Sequence, residues 1–372
     1  MLQGALKGAL RRGAAVASAA ALTMGQAKEG GMATQYELYP QYVPIVKWQA
    51  NEQRALQNTY SDVAPRVLPC IEVRDSSQHK RMLSHYDKVW KGAALVDYSD
   101  PAGNLTPTRQ AELLAFLNLG TGSSIYASPV LSPYASQLSF QTIANALNGR
   151  KIALRLRLND ATQVGIYPPA IDKIMSLPGA TSLVDRLIVD LRCTPTAELS
   201  TAQINTLAST IGTMKAMGFA HVHLASGAFP ESLQHINSAG EVKRGDWTLW
   251  QKVAAASPGT LIGFSDYGPL TPEWTEEILT RRGGRSVIRY TLQERWRILR
   301  APSNKVGDSI AISQLMVGVY GAEFKGKPYS YGDLLIDERS DPAVAMKDKR
   351  CGQYHITEYW SHHIAYVVKD QY

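Results

Sequence analysis

Eight short apolar runs recur between residues 42 and 268, and almost every one ends in a charged or polar residue. They read YVPIVKW (42–48), VLPCIEV (67–73), AALVDYSD (93–100), SSIYASPV (123–130), KIALRLRLND (151–160), DRLIVDLR (185–192), AHVHLAS (220–226) and TLIGFSDYG (260–268). Helix-like segments fill most of the gaps. Strands separated by helices pair in parallel, because the helix returns the chain to the end of the sheet where the last strand began. Eight such units predict an α/β fold, a parallel (β/α)8 TIM-like barrel, whose active site lies at the carboxyl ends of the strands. An open doubly wound sheet is the alternative architecture. It is disfavoured because no GxGxxG or P-loop turn follows an early strand.

A chain of 372 residues accommodates one barrel and an appendage. The rhythm sets the barrel at 40–270 and leaves 271–372 as a C-terminal α+β elaboration packed on it. Within that elaboration 308–319 reads as a helix, 326–350 as loop, and 357–368 as a closing helix or strand. Residues 1–31 differ in kind: they are Ala/Gly-rich, carry Lys7, Arg11 and Arg12, and have no acid before Glu29. A disordered extension, an upstream start with Met32 as the working one, and a targeting-like or partner-binding helix all fit. No uncharged apolar run reaches the length of a membrane span. The three cysteines, Cys70, Cys193 and Cys351, are far apart. They form neither a disulfide framework nor a zinc knuckle, which points to a reducing, cytoplasmic setting. Cys70 and Cys193 read as small buried thiols.

Alternation within the strands assigns faces. In 151–160, Ile152, Leu154, Leu156 and Leu158 share one side, and Arg155, Arg157 and Asn159 the other. In a parallel barrel the leucine side meets the helices, so the arginine side points to the axis, where its charges need carboxylates. The other strands offer Lys47, Glu72, Asp97, Asp190, His223 and Asp266. These are expected to converge near one axis, either as a site or as an ion-pair network that fills the barrel. Asp97 and His223 are the candidate ligands for a divalent metal, Mg or Mn. Lys47, Glu72, Asp190 and Asp266 are the candidate catalytic groups, with Arg155 and Arg157 to neutralise phosphate.

The net charge of +7 is concentrated in RRGGRSVIRYTLQERWRILR (281–300), which has seven arginines against one carboxylate, Glu294. A salt-bridged face is one reading. A stripe that binds phosphate or nucleic acid is the other, because arginine forks match phosphate oxygens.

Seven phrases, in order, resemble the phage beta protein family. They are YVPIVKWQANEQRAL (42–56), LPCIEV (68–73), RGDWTLW (244–250), FSDYGP (264–269), RY (289–290), YSYGDLLI (329–336) and WSHHIAYVV (360–368). The family's chains occur in phages, prophages and bacterial mobile regions, and Asn51 stands here where they usually have glycine. The resemblance implies a barrel-like fold and a setting in phage–host conflict, without a defined reaction. By position it carries forward Lys47, Glu72, Asp190, Asp266, Tyr267, Arg289, His362 and His363, of which Tyr267, Arg289 and His363 are candidate substrate-binding residues. Two functions follow. One is a metal-assisted hydrolase of a phosphate-bearing substrate, nucleotide or nucleic acid. The other is a non-catalytic scaffold that binds nucleic acid, or a phage or host protein, through 281–300.

Overall fold

The computed structural model describes residues 39–119, 126–158, 160–273, 284–352 and 354–372. The expectations for residues 1–31, and those for Arg281, Arg282 and Asn159, lie outside the described residues. Pro40–Gln371 form one compact unit.

Eight parallel strands close into a barrel: β1 (Val43–Lys47), β2 (Cys70–Glu72), β3 (Ala94–Asp97), β4 (Ala127–Leu131), β5 (Ile152–Arg157), β6 (Val184–Cys193), β7 (His221–Gly227) and, after an excursion, β9 (Ile262–Asp266). Pairing of Val43 with Ser265 and of Pro44 with Asp266 closes the ring. Helices α1 (Ala50–Gln57), α2 (Ser76–Val89), α3 (Pro107–Leu119), α4 (Gln137–Asn145), α5 (Pro168–Met175), α6 (Ala180–Leu183), α7 (Thr201–Lys215) and α8 (Gly245–Ala255) follow the strands in turn. Their starts are written in the sequence. Asp75 and Ser136 cap α2 and α4, and Ser200 with Gln203 forms a capping box on α7, so amides left without intrahelical partners find side-chain acceptors.

Beyond the barrel, β8 (Ala239–Lys243) lies inside the excursion between β7 and β9. It pairs antiparallel with β11 (Arg295–Arg300), which also pairs with β10 (Val287–Thr291). This small sheet, α9 (Val306–Gly318), α10 (Tyr331–Ser340) and α11 (Tyr354–Tyr366) make up the elaboration. The expectation of loop across 326–350 needs correction, because α10 occupies its middle. Its start is fixed by Ser330, whose hydroxyl accepts from the Asp333 amide, and Leu335 and Ile336 bury its inner face. Charge and glycine in YSYGDLLIDERS mask that pattern. Cys70 is buried as expected, whereas Cys193, the last residue of β6, is exposed. No helix among the described residues is long and apolar enough to cross a membrane.

The barrel interior is layered, as parallel barrels are. Val43, Ile45, Leu68, Cys70, Leu95, Val130, Ala153, Ile188, Ala225 and Tyr267 form its apolar core. Because side chains on a strand return to the same face every second residue, the next inward position after each of five of these is charged. Ile45 is followed by Lys47, Cys70 by Glu72, Leu95 by Asp97, Ala153 by Arg155 and Ile188 by Asp190. The charged layer therefore stands directly above the apolar one, at the carboxyl ends of the strands.

Candidate functional site

Arg155 is the centre of that layer. Its side chain is 1% exposed, and its guanidinium reaches three carboxylates from three other strands. Nε donates to Asp190 Oδ2 at 2.9 Å, and Nη1 to Glu72 Oε1 at 2.9 Å and Asp97 Oδ2 at 2.8 Å. Nη2 donates to the Tyr267 hydroxyl at 2.7 Å, which itself donates to Asp190 Oδ2 at 2.7 Å. A cation in this position is the condition for burying three carboxylates in a low-dielectric barrel. Asp97 feels it most clearly. Burial pushes its carboxyl up, but Arg157, Arg155 and two hydrogen bonds from Ser99 outweigh that and hold it well below the usual carboxylate range.

A second ring of charge borders this centre. Arg74 Nη2 lies 2.9 Å from Glu72 Oε1, and Arg157 Nη2 lies 2.6 Å from Asp97 Oδ2. Arg192, in the left-handed region at φ 57°, sends its guanidinium to Glu273 at 2.7 Å. Lys47 donates to the carbonyl of Glu273 at 2.7 Å, so the segment after β9 folds over the mouth. Burial pushes the Lys47 ammonium down from the ordinary lysine range. The Arg157 side chain is 6% exposed, and its Nη1 has no hydrogen-bond partner among the described residues. That nitrogen stands where Gly103 passes: a Cβ on Gly103 would lie 3.2 Å from it.

Sequence reasoning missed Glu52. It sits in the first turn of α1, is 2% exposed, and leaves Oε2 without a hydrogen-bond partner among the described residues. Burial pushes its carboxyl up to about 7, against its own backbone amide and the nearby Lys47 charge. The signal available was weak: a glutamate five residues after the strand-end lysine, on the same helix face as the buried Ala55 and Leu56. An acid whose native pKa lies above its unfolded one loses stability as pH rises between the two values, and the deficit is complete above the higher. Glu52→Gln is therefore expected to raise stability at pH 8 by on the order of 3 kcal/mol, at about 1.4 kcal/mol per pKa unit, and to change little at pH 4. Urea melts at the two pH values check it; equal midpoint shifts at both would rule out the titration.

Asp266 and His363 do not join the axial cluster. Tyr267 takes the inward position, so Asp266 faces outward from β9, toward α11. There it accepts from the Tyr42 hydroxyl at 2.6 Å and lies 2.8 Å from His363 Nε2, while His363 Nδ1 lies 2.9 Å from the Thr291 hydroxyl. Burial raises the Asp266 carboxyl, but His363, Arg244 and Tyr42 outweigh this and hold it low. Beside it, burial pushes Asp246 up to about 7 against Arg244, with the Asp266 charge adding to the rise. His362 takes the other side of α11, with Asp333 Oδ2 at 2.9 Å from Nδ1 and the Thr291 carbonyl at 3.0 Å from Nε2. All four of Asp266, Asp333, His362 and His363 are fully buried, so this polar seam joins α11 to β9, β10 and α10.

His223 also stands apart, two inward positions before the layer that holds Asp190. It lies below the apolar layer, 3.0 Å from the Gln41 carbonyl and beside Arg186. Burial and Arg186 hold its imidazole well below the ordinary histidine range. Gly263 makes room for that ring, since a Cβ there would meet it at 2.4 Å. Asp97 and His223 are thus separated by the core. Among the described residues no group of three or more His, Cys, Asp or Glu is placed to hold a metal ion. The Arg155 guanidinium takes the position between Glu72, Asp97 and Asp190 that Mg or Mn would have to take, so these residues do not fit the ion as arranged.

Four arginines of the 281–300 segment, Arg289, Arg295, Arg297 and Arg300, have internal partners. Arg295 and Arg297 share Glu241 of β8 and Glu323, Arg300 donates to the carbonyls of Leu233 and Ile236, and Arg289 donates to the Pro269 carbonyl at 2.6 Å while covering the rings of Phe229 and Tyr359. The carboxylates that balance this segment come from β8 and from the turn after α9, which is why the local sequence looked unbalanced.

Fold and site together define a parallel (β/α)8 barrel with a charge-filled carboxyl mouth and an α+β elaboration sealed to it by buried histidines. The chain belongs to the Beta protein family, whose model matches residues 42–369. No curated protein matches it. Among solved structures it is similar to native CbXyn10B at TM-score 0.38 and 10% identity, over 63% of this chain and 85% of that one. It is also similar to the carboxyl transferase domain of Rhizobium etli pyruvate carboxylase at TM-score 0.36 and 8% identity, over 63% of this chain and 40% of that one. An endo-beta-1,4-mannanase from Cellulomonas fimi matches at TM-score 0.34 and 9% identity, over 61% of this chain and 64% of that one. Likeness this loose says nothing of chemistry.

Proposed function

We propose that the barrel mouth binds a phosphate-bearing ligand, of the nucleotide or nucleic-acid class, and is the active site of an enzyme acting on it. The observation that carries this reading is Arg157: a buried guanidinium at the end of β5 with one nitrogen on Asp97 and the other without an acceptor among the described residues. A buried donor left unpaired costs about 1–3 kcal/mol, and an anion's oxygen is the partner it lacks. Arg155 and its three carboxylates hold the site rather than react in it, since each carboxylate already accepts from a guanidinium. Proton transfer falls to Lys47 and Glu52, two groups at the mouth whose pKa values burial moves toward neutrality from opposite sides. The setting in phage–host conflict and a cytoplasmic location belong to the same proposal.

Isothermal titration of the full chain with nucleoside triphosphate and with inorganic pyrophosphate tests it. Both are expected to bind, with affinity that falls as salt rises, and Arg157→Gln is expected to weaken each at least tenfold in a destabilised but still folded protein, because Arg155 remains on Asp97. Unchanged affinity in a folded Arg157→Gln protein would contradict the reading. The alternative scaffold, which binds through 281–300, predicts instead that reversing Arg295 and Arg297 abolishes binding.

A further inference from the structure

A cavity of about 250 Å3 opens on the same carboxyl face of the barrel, between the segment that follows β6 and helix α8. Gly245 lets the first turn of α8 approach that segment, since a Cβ there would lie 3.2 Å from the Thr194 methyl. Thr248, Leu249 and Lys252 lie three, four and seven residues further on, so one face of α8 forms a wall. Leu199, Ile204 and Leu249 supply apolar lining.

The charges are at the rim. Lys243 and Lys252 line the cavity, and Glu198 is the one carboxylate among the lining residues. Glu198 pairs with Lys252 across the opening, and both lysines hold its carboxyl low. Lys243 has no ion pair of its own among the described residues, so the rim carries one positive charge in excess. The hydroxyls of Thr194 and Thr248 already donate, to Ser226 at 3.0 Å and to the Arg244 carbonyl at 3.2 Å. The two lysines, with the Thr196 hydroxyl beside them, are therefore the side-chain donors left for a ligand.

We propose that this cavity binds a small organic anion, with an apolar body of about one ring against Leu199, Ile204 and Leu249 and its carboxylate or phosphate on Lys243 and Lys252. A dry cavity of about 150 Å3 is enough to hold benzene, so this one holds a ring and a short anionic arm. The anion competes with Glu198 for Lys252, which makes the Glu198–Lys252 pair a clasp that ligand opens. The site is separate from the Arg157 mouth, and neither proposal depends on the other.

Methyl-resolved NMR of the full chain, titrated with benzoate and with phenyl phosphate, reads it directly. The methyl signals of Leu199, Ile204 and Leu249 are expected to shift with both probes and to stay still with inorganic phosphate or uncharged benzyl alcohol. Lys243→Gln is expected to weaken both probes severalfold, and Glu198→Gln to tighten them. Leu249→Trp, which fills the cavity, is expected to abolish the response; if it fails to fold, the two rim variants decide. Methyls unmoved by either anion, or moved equally by benzyl alcohol, would overturn the proposal. So would probe affinities that Lys243→Gln and Glu198→Gln leave unchanged. Loss of phenyl phosphate binding in Arg157→Gln with the three methyl signals never moving would place that probe at the mouth and overturn this site while sparing the other.

Discussion

Arg155→Met is expected to leave the protein largely unfolded at pH 7.5. Methionine fills similar space but strips the cation from Glu72, Asp97 and Asp190 at once. Breaking one buried ion pair from one side costs about 3–5 kcal/mol, against a whole-domain stability of about 5–15 kcal/mol. The remaining partners soften the loss unevenly. Asp97 keeps Arg157 and Glu72 keeps Arg74, while Asp190 keeps, among the described residues, the Tyr267 hydroxyl and the Arg192 amide. The pH dependence should invert. In the native protein Asp97 is depressed, so its contribution is full above the ordinary carboxylate pKa of about 4 and is lost as pH falls below it. In Arg155→Met the stripped carboxylates favour their protonated forms, so the variant should be nearer to folded at pH 5 than at pH 8. Circular dichroism and denaturant melts across that range decide it. A cooperative melt within about 1 kcal/mol of the parent at pH 7.5 would show that the network does not hold the barrel together.

Gly332→Ala is expected to destabilise the elaboration by about 3 kcal/mol or more, although the same change in an open helix position normally stabilises by up to about 1 kcal/mol. Gly332 lies within α10 where it crosses α11, and a Cβ there would sit 2.2 Å from the Glu358 carbonyl oxygen and 3.1 Å from the His362 amide nitrogen. Those are backbone atoms, with no side chain to swing away. Nor can α11 retreat easily: the His362–Asp333 and Arg339–Glu358 pairs tie it to α10, and the His363–Asp266 pair ties it to β9. Gly318→Ala, at a glycine with nothing within 4 Å of its added Cβ, is the matched control and should be neutral or mildly stabilising. Equal melting temperatures for the two variants would mean that the α10–α11 crossing yields more readily than this packing implies.

The barrel was legible because its signal is periodic. Each of the eight runs became a barrel strand, and the parity of IALRLR put Arg155 and Arg157 on the axis side. The small strand β8 escaped because AGEVK alternates with no large apolar residue except Val242, and its pairing with β11 is long-range. Asp266 shows the limit of parity at strand ends. A charge at a strand end points to the axis only where the alternation agrees; counting from the outward Phe264 puts Asp266 outward, and Tyr267 holds the axis instead. Histidines 362 and 363 were visible as a motif, but their carboxylate partners Asp333 and Asp266 lie 29 and 97 residues away and belong to separate elements. The four arginine–carboxylate pairs made by Arg155 and Arg157 likewise join strands that the sequence keeps far apart. A sequence can name which residues face the axis; which of them pair depends on the register and stagger of the closed sheet.

The most direct test of the phosphate reading is a crystal of the full chain soaked in tungstate, a heavy phosphate analogue, with the anion located by its anomalous signal. The account predicts a peak at the carboxyl mouth of the barrel within hydrogen-bond distance of Arg157 Nη1, lost in Arg157→Gln. Strong peaks confined to 284–300, with none at Arg157, would contradict it.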